Sequence, residues 1–230
     1  MKIKQWLKFE KQDLSQRIRT YPGYRLFLLF SAAFGFFVSF LDVWGEVYSP
    51  RMKDYDQMVI DWIIGFKTPL IGLFFNFVTQ MASPFFIILI FILLALIMVN
   101  KRRKRAAVVA LVSLLGSYLL SIFFKKYFGR YRPFGCLNNG DCYSYPSGHA
   151  TIATYFYGLL NYLIFRFLPI SLRSFLMISF FLAVLIFLIS VSRLFLEVHY
   201  LSDLIGGFFL GGAWLMLAVF LIDVLYHERK

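Results

Sequence analysis

Six stretches of this chain run almost without a polar break: Leu26 to Trp44, Phe85 to Val99, Ala106 to Phe124, Ala150 to Phe165, Ser174 to Val191 and Leu204 to Leu225. A helix needs about 20 apolar residues to cross a bilayer's hydrocarbon core. Lipid offers no partner for backbone N–H and C=O groups, so a spanning segment must satisfy them itself. The pattern predicts an all-α polytopic membrane protein with six transmembrane helices. Composition agrees: 60% of the 230 residues are hydrophobic and only 16% are charged, against roughly 25% charged in soluble domains. Residues 70–99 read as one spanning unit with a short approach segment, Pro84 being tolerated in a helix's first turn. Between Tyr48 and Lys67, Asp54, Asp56 and Asp61 alternate with Val59, Ile60, Ile63 and Ile64. That spacing predicts a short amphipathic helix on the outer membrane surface.

The net charge of +12 could suggest nucleic acid, but no soluble basic domain exists to carry it. The cations instead mark orientation. Lys101-Arg102-Arg103-Lys104-Arg105 forms a short loop that belongs on the cytoplasmic side. Counting spans outward from it puts both termini and the Arg166–Arg173 connector inside, and all three are basic. The predicted organisation is a basic cytoplasmic segment at 1–22, a six-helix membrane domain at 23–226 and a cytoplasmic tail at 227–230. No cleavable signal peptide is expected, because Lys2 to Arg19 is polar. Gly207-x-x-x-Gly211 suits close helix packing in the last span.

This count gathers three polar clusters on the outer face. The first is Lys125-Lys126-Tyr127-Phe128-Gly129-Arg130-Tyr131-Arg132-Pro133. The second is Pro146-Ser147-Gly148-His149. The third is Ser192-Arg193, then His199, then Asp203. Cations on the outer side oppose the usual bias, and a bound anion would account for them. Pro-Ser-Gly before an apolar run is a helix start, whose open N–H groups can bind phosphate oxygens. His199 and Asp203 are four apart, which places them on one face if the segment is helical. A carboxylate on one imidazole nitrogen makes the other a better nucleophile or base. Lys125, Arg132 and Arg193 would supply fixed positive charge to a phosphoryl group, with the Ser147 hydroxyl and Gly148 amide as donors. Only Asp203 and the neighbouring Glu197 supply carboxylates to these clusters, so neither a metal nor another cofactor is expected. Glu197 reads as a rim residue. Lys126 and Arg130 read as extra cations for a second phosphate, a headgroup or, in preference, the membrane surface.

Lys125-x6-Arg132-Pro133, Pro146-Ser147-Gly148-His149 and Ser192-Arg193-x5-His199-x3-Asp203 closely resemble the three-part signature of the type 2 phosphatidic acid phosphatase (PAP2) superfamily. The resemblance implies a PAP2-like helical bundle and a metal-independent lipid phosphatase. It implies His199 as the nucleophile that forms a phosphohistidine, Asp203 as its orienting carboxylate, and His149 as general acid and then base. Lys125, Arg132, Ser147, Gly148 and Arg193 would bind the phosphoryl oxygens. The implied substrates are a lipid phosphate or diphosphate: undecaprenyl diphosphate, phosphatidylglycerol phosphate, phosphatidic acid or a lipid A phosphate. The residues do not separate these. Cys136 and Cys142 lie between the first two motifs; an oxidising compartment would permit a disulfide, and two free thiols remain the alternative reading.

The enzyme is expected in the cell (cytoplasmic) membrane, with its site on the extracytoplasmic face. Its partners are the lipid substrate and the bilayer; no obligatory protein partner is evident and no nucleic acid is expected. A lipid-phosphate binding or transport protein without hydrolysis is the alternative. A transporter predicts ionisable residues deep in the spans, where almost none occur. A silent relative predicts a lost motif residue, and none is lost.

Overall fold

The computed structural model describes residues 22–137 and 140–227. The basic segment read at 1–22 lies outside them except for Pro22, as does the tail except for His227. The described residues form eight helices: α1 (Pro22–Glu46), α2 (Pro50–Gly65), α3 (Pro69–Gln80), α4 (Pro84–Asn100), α5 (Lys104–Phe128), α6 (Gly148–Phe167), α7 (Leu172–Phe195) and α8 (Leu201–His227).

Local chemistry starts and stops these helices. Ser49, Thr68 and Ser83 each precede a proline, and each side chain accepts a backbone N–H in the first turn, at 3.2, 3.3 and 3.4 Å. The cap satisfies an orphan donor, and proline at the first position has no N–H to leave unpaired. α5 ends at Gly129, whose φ of 63° falls in the left-handed region that glycine enters without penalty. The following loop carries the first motif.

Four helices are long and apolar enough to cross a membrane: Gly23–Glu46, Lys104–Phe128, Leu172–Phe195 and Leu201–Leu225. A fifth crossing is available if α3 and α4 act together, bent by 43° at their break. The segment at 70–99 is therefore two helices rather than one continuous unit. α6 does not meet the same test. It lies at the centre of the bundle, with Ala150, Ala153, Tyr155, Phe156, Tyr157 and Leu159 all buried. A helix screened from lipid by its neighbours can hold polar groups, provided each finds a partner. The Tyr157 hydroxyl donates to the Met81 carbonyl at 2.7 Å, and Asn161 accepts from the Ser179 hydroxyl at 3.0 Å.

The axis of the bundle is the contact of α6 with α8. A methyl group added at Gly207 would lie 2.7 Å from the Ser147 carbonyl oxygen, and one at Gly211 would collide with the Thr151 carbonyl. These glycines let the two backbones touch. They also fix the start of α6 against the start of α8, where the second and third motifs meet.

α2 departs from the pattern of a surface amphipathic helix at one acidic position. Asp54 and Asp61 are exposed and Ile60 and Ile63 buried, but Asp56 also points inward and is 1% exposed, whereas Met58 and Trp62 face outward. The reason Asp56 turns inward lies in the site.

Candidate active site

The C-terminal ends of α5 and α7, the N-terminal ends of α6 and α8 and the 129–147 loop converge at one end of the bundle. This end is a helix length from Lys101–Arg105. The 25 residues of α5 correspond to about 37 Å. A cavity of about 990 Å³ opens here. One set of its lining residues is polar, Lys125, Lys126, Arg132, Arg193, His149 and His199 with Gly148, and another is largely apolar, Ala82, Ile87, Ile88, Leu114, Leu115 and Tyr118.

His199 is 2% exposed. Its Nδ1 lies 3.3 Å from the Asp203 Oδ2, and its Nε2 lies 3.3 Å from Nη1 of Arg132. The two residues do not share a helix, as their spacing suggested. His199 precedes α8, and Asp203 lies in its first turn, accepting the Tyr200 N–H at 2.8 Å. The contact survives because that hydrogen bond folds the entry to α8 back over the carboxylate. Burial, then the charges of Lys125, Arg132 and Arg193, hold the His199 pKa well below 6.5. The imidazole is thus neutral at neutral pH, the form that can attack.

The cations are positioned by neighbours that the sequence did not single out. Arg193 lies on the last turn of α7, and its Nη1 donates to the Thr79 hydroxyl on α3 at 2.8 Å. Its buried Nε has no hydrogen-bond partner among the described residues. A buried donor left unpaired is costly, so this edge of the guanidinium suits an anion. Arg132 donates to the Val198 carbonyl at 2.6 Å and to the Asp141 carboxylate at 2.6 Å, and Lys125 reaches the same carboxylate at 3.1 Å. Burial opposes ionisation of Asp141, but Lys125 and Arg132 outweigh it and hold its pKa below 3.8. Asp141 had no sequence signal, because nothing in a loop aspartate's spacing reveals that two cations meet it.

Gly148 lines the cavity; a methyl group there would stand 3.3 Å from the Ser121 hydroxyl. Ser147 is among neither set of lining residues. It is fully buried, with its N–H donated to the Asp203 carbonyl at 3.0 Å and its hydroxyl capping α6 at 3.5 Å. The serine on the cavity wall is Ser121.

One further reading is corrected, and one holds. Arg130 is not at the membrane surface but 6% exposed. It bonds Asp56 at 2.8 Å and Asp203 at 2.6 Å, with its guanidinium 4.0 Å from the centre of the Tyr200 ring. Burial opposes its charge, yet the two carboxylates raise its pKa above the ordinary value. Glu197 sits at the rim, bonded at 2.8 Å to Lys67. Its φ of 58° is unusual for a residue other than glycine, and the ion pair ties this turn to the α2–α3 connection. Cys136 and Cys142 are joined by a disulfide, closing the part of the loop that carries Asp141.

Fold and site together define a multi-pass membrane phosphatase built wholly from helices. The sequence profile of the PAP2 superfamily matches residues 106–225, and the chain belongs to that superfamily. Phosphatidylglycerophosphatase B of Bacillus subtilis is 24% identical over 176 residues, covering 76% of this chain and 87% of the relative. The crystal structure of a transmembrane PAP2-type phosphatidylglycerolphosphate phosphatase from Bacillus subtilis superposes with a TM-score of 0.77 at 22% identity. That match covers 86% of this chain and 98% of the other. LpxE of Aquifex aeolicus gives a TM-score of 0.56 at 20% identity, covering 71% and 94%.

Proposed function

We propose that the protein removes phosphate from a lipid phosphate or diphosphate at the outer membrane face, through a phosphohistidine on His199. The observation that carries this reading is a cavity with both polar and apolar lining. Four cations, Lys125, Lys126, Arg132 and Arg193, and two histidines line it together with apolar side chains of α4 and α5. A lipid can keep its tail against Ile87, Ile88, Leu114 and Leu115 while its phosphate meets Lys125, Arg132 and Arg193.

In this mechanism the His199 Nε2 attacks phosphorus while the Nδ1 proton stays toward Asp203. The N–P bond forms as the bond from phosphorus to the leaving oxygen breaks, and a proton from His149 goes to that oxygen. His149 then takes a proton from water, whose oxygen attacks phosphorus and returns His199 free. An entering phosphoryl dianion favours the protonated His149 by its negative potential. Lys125, Arg132, Arg193 and the Gly148 N–H at the start of α6 would hold the equatorial oxygens. Ser147 would act chiefly by fixing the helix start. No metal is assigned a role, a reading supported by the donors present: among the described residues, no three His, Cys, Asp or Glu side chains form a group able to hold one.

The proposed topology keeps six spans, with α6 as the central crossing and α3 with α4 as one bent crossing. Lys101–Arg105 and both termini face the cytoplasm. α2 lies along the outer surface with one face built into the protein. Phosphatidylglycerol phosphate heads the substrate candidates, since the curated relative is named for it.

The test is phosphate release in detergent from a panel of lipid monophosphates and diphosphates. His199→Ala and EDTA-treated enzyme are the controls. Activity on at least one lipid, lost in His199→Ala and kept in EDTA, is expected. Lipid binding with no release from any panel member would favour the non-hydrolytic alternative, and normal turnover by His199→Ala would sink the nucleophile assignment.

A further inference from the structure

We infer that Asp56 and Arg130 are positioning residues for the nucleophile, acting through Asp203. This rests on the assignment of His199 as nucleophile and extends it to two residues outside the three motifs.

The geometry is a closed buried network. Arg130 places Nη1 2.6 Å from the Asp203 Oδ1 and 2.7 Å from the Ser202 hydroxyl, and Nη2 2.8 Å from the Asp56 Oδ2. Asp56 also accepts the Ser202 N–H at 2.9 Å and the Ser202 hydroxyl at 2.6 Å. Asp203 and Ser202 are fully buried, Asp56 is 1% exposed and Arg130 6%. The Asp203 Oδ1 thus belongs to Arg130, while its Oδ2 faces His199 Nδ1 and the Tyr200 N–H. Each oxygen has a separate duty, which fixes the carboxylate plane.

Charge gives Asp56 its purpose. Arg130 alone against Asp203 would make a neutral pair, leaving no net negative charge behind the imidazole. When Nε2 bonds to phosphorus, the ring gains positive charge that a carboxylate must balance. Asp56 supplies the second negative charge. The three groups together carry one net negative charge, held away from water, where it is screened less than at the surface. Arg130 orients Asp203, and Asp56 keeps Arg130 from cancelling it. This accounts for a carboxylate that points inward from α2 while Met58 and Trp62 point outward.

Phosphate release is measured for Asp56→Asn, Arg130→Gln, the double variant and His199→Ala, with inorganic phosphate inhibition as a gauge of the binding site. Asp56→Asn is expected to lower kcat by about tenfold to a hundredfold, the range seen when partners behind a histidine metal ligand are removed. KM and the phosphate inhibition constant should move less than about threefold. A merely structural role would instead reduce the amount of folded enzyme or weaken binding. The double variant removes one charge of each sign and keeps Asp203 net negative. It should therefore exceed both single variants in kcat, a non-additivity that reports direct coupling.

Wild-type kcat in Asp56→Asn, or a double variant no better than the worse single one, overturns the inference. If a single variant does not fold, the double variant decides alone. A kcat about tenfold below wild type supports the coupling; wild-type kcat, or the His199→Ala background, refutes it. If His199→Ala itself turns over normally, the nucleophile assignment has failed instead, and the two failures are told apart.

Discussion

Neutralising Asp141 is expected to tighten phosphate binding. Its carboxylate lies 2.6 Å from Arg132 Nη2 and 3.1 Å from Lys125 Nζ, the two cations that define the first motif. A phosphoryl group held by the same cations must share them with Asp141 or displace it, against like charge in either case. The Asp141 side chain is 36% exposed while those of Lys125 and Arg132 are 14% and 2% exposed. Solvent therefore screens the pairs from one side. Each is taken at the upper end of the exposed range, about 0.5–1 kcal/mol. Releasing both gives about 1–2 kcal/mol, or about fivefold to thirtyfold in the inhibition constant of inorganic phosphate.

The assay is competitive inhibition by phosphate, comparing Asp141→Asn with wild type in one detergent, at low and high salt. The gap should narrow at high salt, where the Debye length shortens. The pH sign follows from the depressed Asp141 pKa. Its ion pairs are fully formed above the ordinary carboxylate value of 3.8 and weaken only as pH falls through the lower folded value. The difference should hold from pH 5 to 8 as far as Asp141 itself is concerned. Equal or weaker phosphate inhibition in Asp141→Asn would refute the reasoning and make Asp141 an aligner of the two cations rather than their competitor.

The depressed pKa of His199 predicts that its imidazole stays neutral as pH falls to 6.5 in the substrate-free enzyme. Histidine NMR checks this, and a His199 resonance titrating above 6.5 would contradict it. Replacing His149 by Ala should depress turnover most for poor leaving groups, measured across aryl or alkyl phosphates of rising leaving-group pKa; a uniform loss would remove its acid role. Denaturation without reductant followed by alkylation should leave Cys136 and Cys142 unlabelled, and full labelling of both would exclude the bond in the purified protein. Impermeant thiol reagents applied to intact cells should label Cys at position 134 and not at position 102, with the reverse pattern inverting the topology.

The six apolar runs were legible because lipid imposes a simple rule on composition. α6 shows where that rule weakens. Its polar residues are paired inside the bundle, so neither its length nor its hydropathy declares what surrounds it. Lys125, Arg132, Gly148, His149, Arg193, His199 and Asp203 were legible because their spacing forms a recurring pattern, and the fold brings them to one end. Ser147 matched the pattern equally well, yet its hydroxyl is turned to capping α6. Thr79, Ser121 and Asp141 left no trace, since each matters only through a neighbour distant in sequence.

Asp56 and Arg130 mark the boundary most clearly. By itself the sequence determined a helical membrane protein and a phosphate-handling signature, because hydropathy and motif spacing are local properties of a chain. It assigned Asp56 to a surface helix and Arg130, in preference, to the membrane surface, since each is an ordinary charged residue in its own segment. Only the tertiary structure decided that the two meet, 74 residues apart, with Asp203 in a site shielded from water. The physical reason is that a buried charge is tolerable only when its partners are at hand, and partners drawn from α2, the 129–147 loop and α8 become neighbours only when the bundle closes.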